Sequence, residues 1–537
     1  MQIHGAYSSN YTVTVLDRLQ AKGQHDAVVA GDRRISGTDA TNMVLRFSAA
    51  LRRVGLKQGD GVALLSGNSP EALLLCLAVH FSGCRLVFVP PEPGAGELAA
   101  YIRQADVATL VFDPVFEPLV DRVTRLVSIP LYLSIGPSQL ASDFLAEVPD
   151  TTEASARDAA DTRHVTTLLY TGGTTGAPKP VTHNRNYYAA FVRASTGFSS
   201  RSPEPRTLIC TLTTHSSGHN GAVNGFLTGQ TIVLMKSFQP ASALSLMKSE
   251  SVTSVVLVTP MLYELLDTPE WANTRFPALE KLYYTGAPAA ASRLRQAAVR
   301  FGPVLHQVYG ASESGVVTVL GPEEHDVTRP ELFMSCGRPA AGVEVQLRDE
   351  AGAPVPVGDV GELWVRSPMV MTGYWKDPER SAEVLGRGGW FRSGDVARQD
   401  KNGYLYLIDR VRDIIVTGVT ADNVYSRLLD DFLLSLPNIK DAATIGVPDN
   451  DGMERVHVAL VPRNQAEQPD FTKLTRLIVD ELGALYAPAS YSVEASLPRT
   501  PVGKTDKKAL RAALLASGDA TAEAAEGVCR RHGTHLG

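Results

Sequence analysis

Between Thr171 and Ala177 the chain contains only Thr, Gly and Ala, in the run Thr167-Leu-Leu-Tyr-Thr-Gly-Gly-Thr-Thr-Gly-Ala-Pro-Lys-Pro-Val181. Glycines let a backbone approach a ligand closely and aim successive N–H groups at an anion. In this segment Gly172, Gly173 and Gly176 supply that freedom, Thr171, Thr174 and Thr175 add hydroxyl donors, and Lys179 adds a point charge. Such a composition suits a phosphate cradle, and it also suits a Gly-rich surface turn. It is not a Walker A loop, because Pro178 and not glycine precedes the lysine. Farther on, His215 and His219 stand four apart in Thr214-His-Ser-Ser-Gly-His-Asn-Gly-Ala222. No acidic ligand accompanies them and HExxH is absent, so the spacing does not make a zinc site.

The elements that must carry these residues alternate. Gly61–Ser66 reads as a buried strand, Asn68-Ser-Pro70 as a cap, Glu71–Ser82 as a helix and Leu86–Val89 as the next strand. A helix over Glu97–Gln104 and a strand over Thr109–Phe112 follow, and the cycle resumes at Thr207–Cys210, Gln230–Leu234 and Ser254–Val258. Strands alternating with helices predict βαβ units and a largely parallel sheet. From about Pro330 short β segments with Gly and Pro turns, such as Val343–Leu347 and Gly361–Val365, predict a small β unit on that body. After Asp409-Arg410 the strands Ala443–Val447 and Val456–Val461 and the helix Phe471–Leu482 predict a separate α+β unit. The expected fold class is therefore α/β: a large N-terminal domain (1–409) with mostly parallel sheets plus a small β unit, and a smaller C-terminal α+β domain (410–517). The Ala/Gly-rich stretch 518–537 shows no core pattern and is expected to be disordered.

At 537 residues the chain has a soft prior of three or four folding units at roughly 150 residues each, with no internal repeats. Its 44% hydrophobic and 20% charged residues are those of a globular protein. A net charge of −6 argues against nucleic-acid binding, which requires a basic excess. Cys76, Cys84, Cys210, Cys336 and Cys529 lack CxxC spacing and read as reduced, mostly buried thiols of a cytosolic protein. The N-terminal stretch lacks a signal-peptide h-region, and the longest apolar run, Ala72 to Phe81, is far shorter than the ~20 residues a membrane span needs. A cytoplasmic protein without membrane association is expected.

The Thr/Gly segment resembles the signature loop of the adenylate-forming superfamily: acyl- and aryl-CoA ligases, luciferases and nonribosomal adenylation domains. TGAP (Thr285 to Pro288), YGASESG (Tyr309 to Gly315), GELWVRSPMVMTGYW (Gly361 to Trp375), WFRSGD (Trp390 to Asp395), YLYLIDRVRDIIVTG (Tyr404 to Gly418) and PRTPVGKTDK (Pro498 to Lys507) follow in the family's order and span nearly the whole chain. The resemblance implies ATP-dependent formation of an acyl- or aryl-adenylate, with pyrophosphate released. It implies that Thr174, Thr175 and Lys179 hold the β- and γ-phosphates, that Glu313 is the Mg²⁺-associated glutamate, and that Ser312, where the family usually has Thr, keeps a hydroxyl at the phosphates. By the same likeness Tyr309 offers an aromatic face to adenine, with Gly286, Ala287 and Gly310 leaving room for a flat ligand. Asp395 and Arg410 match the residues that reach the ribose. Lys504 matches the catalytic lysine, and Lys507 and Lys508 are read as ordinary surface lysines. Arg412 matches the pivot about which the small domain rotates between two half-reactions. His215 falls in the family's acid-pocket element beside the carboxylate path, followed by Ser216, Ser217 and Gly218 in the pocket wall. Together these weakly favour an aromatic or heteroaromatic acid.

Departures from the family pattern concern the acceptor. CoA ligases of the family typically continue through a glycine-rich segment into ENVYP and a glutamate-bearing helix. This chain has VTADNVYSRLLDD after Gly418, with Ser426 replacing the proline and Leu428 the first helix glutamate, while Pro180 stands where the signature loop normally ends in Gly. CoA is the expected acceptor. Direct capture of the adenylate by an amine and loading of a carrier protein's thiol are the alternatives. The oligomeric state is not legible.

Overall fold

A computed structural model describes residues 11–91, 93–150, 164–171, 179–195, 200–269, 274–417, 422–448, 454–466, 468–500 and 504–517. Two large sheets dominate it. One runs in the order Ser142–Asp143, Leu131–Ser134, Val107–Phe112, Gly61–Leu65, Arg85–Phe88, Val165–Thr171, Lys179–Asn184, parallel except for the last pair. The other has a parallel centre built from Asp26–Ala30, Thr231–Leu234, Arg206–Ile209, Ser254–Val258, Lys281–Thr285 and Leu305–Ala311. Its two borders are antiparallel, with Arg33–Ser36 at one and Gly315–Leu320 followed by Arg338–Pro339 at the other.

The near-continuous apolar strands follow from burial on both faces. Val62 and Leu64 point into a core shared by both sheets, whereas Ala63 and Leu65 point into a second core on the outer side of theirs. Leu208 and Ile209 divide likewise between the outer core of the second sheet and the shared core. Period-two alternation thus distributes successive residues between layers. The helix Pro70–Phe81, buried along its whole length, lies in the shared core. It starts where the Asn-Ser-Pro triplet predicts: Ser69 caps it by accepting from the Ala72 N–H at 3.1 Å, and Pro70 takes the first turn.

The small β unit is an antiparallel sheet of Glu344–Arg348, Val360–Arg366, Trp390–Gln399 and Leu405–Arg410. Its Leu363, Val365, Phe391, Ala397 and Leu405 join the shared core, which fixes it on the α/β body. Beyond Ile414 the chain builds its own cores on the two faces of a sheet formed by Ile439–Pro448, Glu454–Pro462 and Ser490–Val493. Those cores contain only residues from Ile415 onward, as a separately packed unit requires. The α/β architecture follows the expectation. Ser254–Val258 and Phe471–Leu482 fall on their predicted bounds, while other strands differ by a residue or more at their ends. Among the described residues no helix is long and apolar enough to cross a membrane. Cys76, Cys84, Cys210 and Cys336 are buried free thiols, and Cys529 lies outside the described residues.

Candidate active site

Asp395 and Arg410 face each other across the antiparallel pair Trp390–Gln399 and Leu405–Arg410. The buried Asp395 carboxylate takes an ion pair from Arg410 Nε at 2.9 Å and a hydrogen bond from the Tyr309 hydroxyl at 2.5 Å. Tyr309 comes from a different sheet, on the strand Leu305–Ala311. Burial, then the Asp395 charge, pushes the Tyr309 hydroxyl well above its ordinary pKa, so it stays a donor. Asp395 in turn raises the Arg410 guanidinium. Each carboxylate oxygen keeps a second lone pair, so the group can still accept from a diol.

After Tyr309 the chain turns sharply into Gly315–Leu320, with an irregularity in register at Gly310. A Cβ on Gly310 would sit 2.1 Å from the Gly315 carbonyl oxygen, so this hairpin closes only with glycine. Ser312 and Glu313 ride on that bend. The Ser312 carbonyl accepts from His183 Nε2 at 2.7 Å, and the Glu313 carbonyl accepts from the Met371 N–H at 2.7 Å. The Glu313 carboxylate accepts from the Tyr374 hydroxyl at 3.4 Å. Neither His183 nor Tyr374 stood out in the sequence, since each acts through a partner more than 60 residues away in the chain.

Val165–Thr171 and Lys179–Asn184 form the hairpin that carries the Thr/Gly segment. Gly172, Gly173, Thr174, Thr175 and Gly176 lie outside the described residues. At the hairpin's end Thr171 pairs with Lys179, and its hydroxyl donates to the Lys179 carbonyl at 2.9 Å, which ties the two ends of the segment together. The Lys179 ammonium lies 5.7 Å from the centre of the Tyr374 ring. Burial, then Arg380, lowers its pKa, and Glu313 opposes them.

His215 caps the helix Ser216–Leu227, its Nδ1 accepting from the Ser217 N–H at 3.3 Å. An accepting Nδ1 leaves the proton on Nε2 in the neutral ring. Burial, with a smaller contribution from Lys504, lowers the imidazole pKa to about 4, so it is uncharged at neutral pH. Ser216, Ser217 and Gly218 form the first helical turn. A Cβ on Gly218 would lie 2.1 Å from the Leu212 carbonyl, so the turn presses directly on the preceding chain. Gly286 takes φ +87° at the end of Lys281–Thr285, and the Ala287 carbonyl accepts from the Thr259 hydroxyl at 2.8 Å.

Lys504 comes from the C-terminal unit. Its backbone is held to Thr500 by two hydrogen bonds, Lys504 N–H to the Thr500 hydroxyl at 3.1 Å and Thr500 N–H to the Lys504 carbonyl at 2.7 Å. The residue is open to solvent, yet the cleft around it is dense enough in protein to lower its pKa to about 8. Burial is the leading cause, followed by Arg410; Asp395 and Glu313 pull the other way, and Arg412 adds a smaller repulsion. Lys504 is thereby coupled electrostatically to Arg410, Asp395 and Glu313, and His215 to Lys504. Arg412 is half-exposed, 3.6 Å from Asp413, in the short turn Val411–Asp413 that joins the units.

Lys507 departs from expectation. It is an interior cation and no ordinary surface lysine: Nζ lies 2.7 Å from Asp430 and donates to the Ser426 hydroxyl at 2.8 Å. Ser426, fully buried, donates to Asp409 at 3.0 Å. Counting charges along the sequence could not reveal this chain, because its three segments meet only in the fold.

Comparison with known proteins shows the family. An AMP-binding enzyme family model matches residues 16–375, and an AMP-binding enzyme C-terminal domain model matches 428–504. The medium/long-chain-fatty-acid–CoA ligase FadD8 of Mycobacterium tuberculosis is 33% identical over 94% of this chain and 90% of its own length. A feruloyl-CoA synthase of Amycolatopsis is 30% identical over 90% of this chain and 95% of its own. Among solved structures, the amide bond synthetase McbA of Marinactinospora thermotolerans is 36% identical, covers 94% of this chain and 99% of its own, and superposes with a TM-score of 0.86.

Proposed function

Because the chain belongs to the AMP-binding enzyme family, we propose that the cleft between its two units converts a carboxylic acid and ATP into an acyl-adenylate and then passes the acyl group to the thiol of coenzyme A. The chain is an AMP-forming acid ligase. What supports the site assignment is the Asp395–Arg410–Tyr309 cluster, at 2.9 and 2.5 Å, together with a Lys504 ammonium whose pKa burial lowers and the charges of Arg410, Asp395 and Glu313 modulate.

In the first step a carboxylate oxygen attacks the α-phosphorus of ATP, and the bond from that phosphorus to pyrophosphate breaks. Two anions must approach, so the protein's task is positioning and neutralisation. Asp395 and Arg410 hold the ribose, Tyr309 closes the adenine side, Lys179 with Thr174 and Thr175 meets the outer phosphates, and Ser312 lies beside them. Lys504 sits between carboxylate and α-phosphate, where negative charge grows in the transition state. Neutral His215 offers Nε2–H to the acid without adding charge. A Mg²⁺ ion fits the donor chemistry: Glu313 offers one hard carboxylate, and among the described residues no group of three His, Cys, Asp or Glu forms a protein-only cage. That suits an ion held mainly by phosphates and waters, and when bound it would supply further charge neutralisation at the phosphates.

In the second step the thiol attacks the acyl carbonyl carbon and AMP leaves. Rotation about Arg412 would withdraw Lys504 and bring the segment after Gly418 to the adenylate. A second reading, capture of the adenylate by an amine, is supported by the likeness to the amide bond synthetase and by Ser426. Proline would suit the first turn of the helix Ser426–Ser435 equally well, so the helix does not require serine there; the Asp409–Ser426–Lys507 chain uses it. The test supplies ATP, Mg²⁺ and a panel of aryl and fatty acids, adds CoA or an amine, and identifies products by mass spectrometry. A thioester formed only with CoA supports the first reading. Amide formed without CoA replaces it with the second, and a parallel reaction with a carrier protein as acceptor that alone gave product would overturn both.

A further inference from the structure

The segment 372–376 runs between the strand Lys179–Asn184 and the residues Arg85 and Asp106, and is pinned on both sides. Toward Lys179–Asn184 the Gly373 carbonyl accepts from the Thr182 N–H at 3.1 Å and from its hydroxyl at 2.7 Å, and the Trp375 N–H donates to the Pro180 carbonyl at 2.9 Å. On the other side Asp106 accepts from Trp375 Nε1 at 3.2 Å and pairs with Lys376 Nζ at 2.7 Å, while the Arg85 guanidinium lies 4.4 Å over the Trp375 ring. Lys376 and Asp106 both adopt left-handed φ, +55° and +50°, a conformation unfavourable for non-glycine residues. So firmly held a backbone leaves Tyr374 little freedom. Its side chain is buried, its ring face lies 5.7 Å from the Lys179 ammonium, and its hydroxyl reaches a Glu313 oxygen at 3.4 Å.

We propose that Tyr374 is a positioning residue for adenylation, one phenol seating the Lys179 cation on its face and the Glu313 carboxylate on its hydroxyl. Before nucleotide arrives it sets the separation between a phosphate-binding charge and a metal-binding oxygen. The proposal rests on the reading of Lys179 and Glu313 given above. Lys179 is attached to the end of the Thr/Gly segment and Glu313 to the Tyr309–Gly315 bend, and among their described contacts the Tyr374 ring is what joins the two. Two opposite charges held apart by a polarisable ring also cannot collapse into a direct ion pair that would exclude the phosphates.

Each half of the contact has its own variant. Tyr374→Phe keeps the face and removes the hydroxyl. Release of Glu313 should raise the free Mg²⁺ needed for half-maximal pyrophosphate exchange roughly tenfold, the order of a hydrogen bond to a charged group. Its affinity for ATP in EDTA, measured by calorimetry, should stay within about twofold. Tyr374→Leu removes the face as well and should also weaken metal-free ATP binding roughly fivefold, the order of a part-buried cation–π contact. Adding Tyr374→Phe to Glu313→Gln should change the Mg²⁺ requirement no further, a non-additivity that a merely structural tyrosine would not produce. Lys179→Ala and Glu313→Gln serve as references. If both references respond while Tyr374→Phe matches the parent, or lowers only the unfolding midpoint, the positioning role is overturned and the site reading stands. If neither reference responds, the site reading fails and the proposal with it. Should Tyr374→Leu not fold, Tyr374→Phe and its double variant decide alone.

Discussion

At the scale of single residues, Lys504 bears the greatest demand. Its ammonium pKa is lowered to about 8, mainly by burial and by Arg410, so at neutral pH most molecules carry the charge that adenylation needs. The free enzyme loses that charge as pH rises through about 8, so kcat/KM for the adenylation step should fall on the alkaline side of that value, where this constant reports free-enzyme groups. Lys504→Ala should cost at least ~2 kcal/mol in pyrophosphate exchange, the scale of a preorganised charge contact, and should remove the alkaline limb. An unchanged exchange rate would show that the cation acts elsewhere. Roles for Lys504, Asp395 and Arg410 could be proposed from motif context alone, because the chemistry restricts residue type at each position. Tyr374, His183 and Lys507 could not. Tyrosine, histidine and lysine are common, and what distinguishes these three is a partner supplied by a remote segment: Glu313, Ser312 and Ser426.

Among elements, the joint we propose between the units is the Val411–Asp413 turn. A few residues absorbing a large change in φ and ψ is the ordinary construction of a hinge, and bonds span it here: Asp409, before the turn, accepts from the Ser426 hydroxyl at 3.0 Å and from the Arg427 N–H at 3.3 Å, both beyond it. Fixing φ at the pivot should therefore separate the two steps. Arg412→Pro is expected to retain pyrophosphate exchange while slowing acyl transfer by tenfold or more, an order-of-magnitude expectation from the lost backbone freedom, read by single-turnover measurement of each step. Equal loss of both would place the pivot at another residue. Element types were legible where burial alone decides them, as in Ser254–Val258, whose apolar run admits only a sheet interior. Strand ends were less so, because a polar end residue such as Glu454 is recruited by the neighbouring strand and not by its own hydrophobicity.

For the molecule as a whole, a large interior stores neutral imidazoles. Burial lowers the pKa of His80 to about 3 and those of His183, His215, His325 and His457 to about 4. Each is protonated near 6.5 once unfolded, so between pH 6.5 and about 4 the unfolded chain binds protons that the folded chain refuses. Stability contributed by these groups is present above 6.5 and lost as pH falls. The unfolding midpoint should drop progressively over that window, and His325→Gln should flatten the slope. A midpoint independent of pH from 7 to 4 would mean that these rings are not buried neutral. The passage to cores made only of residues from Ile415 onward was legible in the change of texture beyond Asp409. The sharing of one core by both large sheets was not, since it depends on which of two alternating faces each strand presents to the other sheet.

Adenylation requires one event above all: an oxygen of the organic acid must become bonded to the α-phosphorus of ATP. Oxygen-18 tracing reads that event directly. With an acid labelled at both carboxylate oxygens, the AMP released after acyl transfer should carry one ¹⁸O atom, accompanied by one pyrophosphate per turnover. Unlabelled AMP, or ADP with inorganic phosphate, would contradict it.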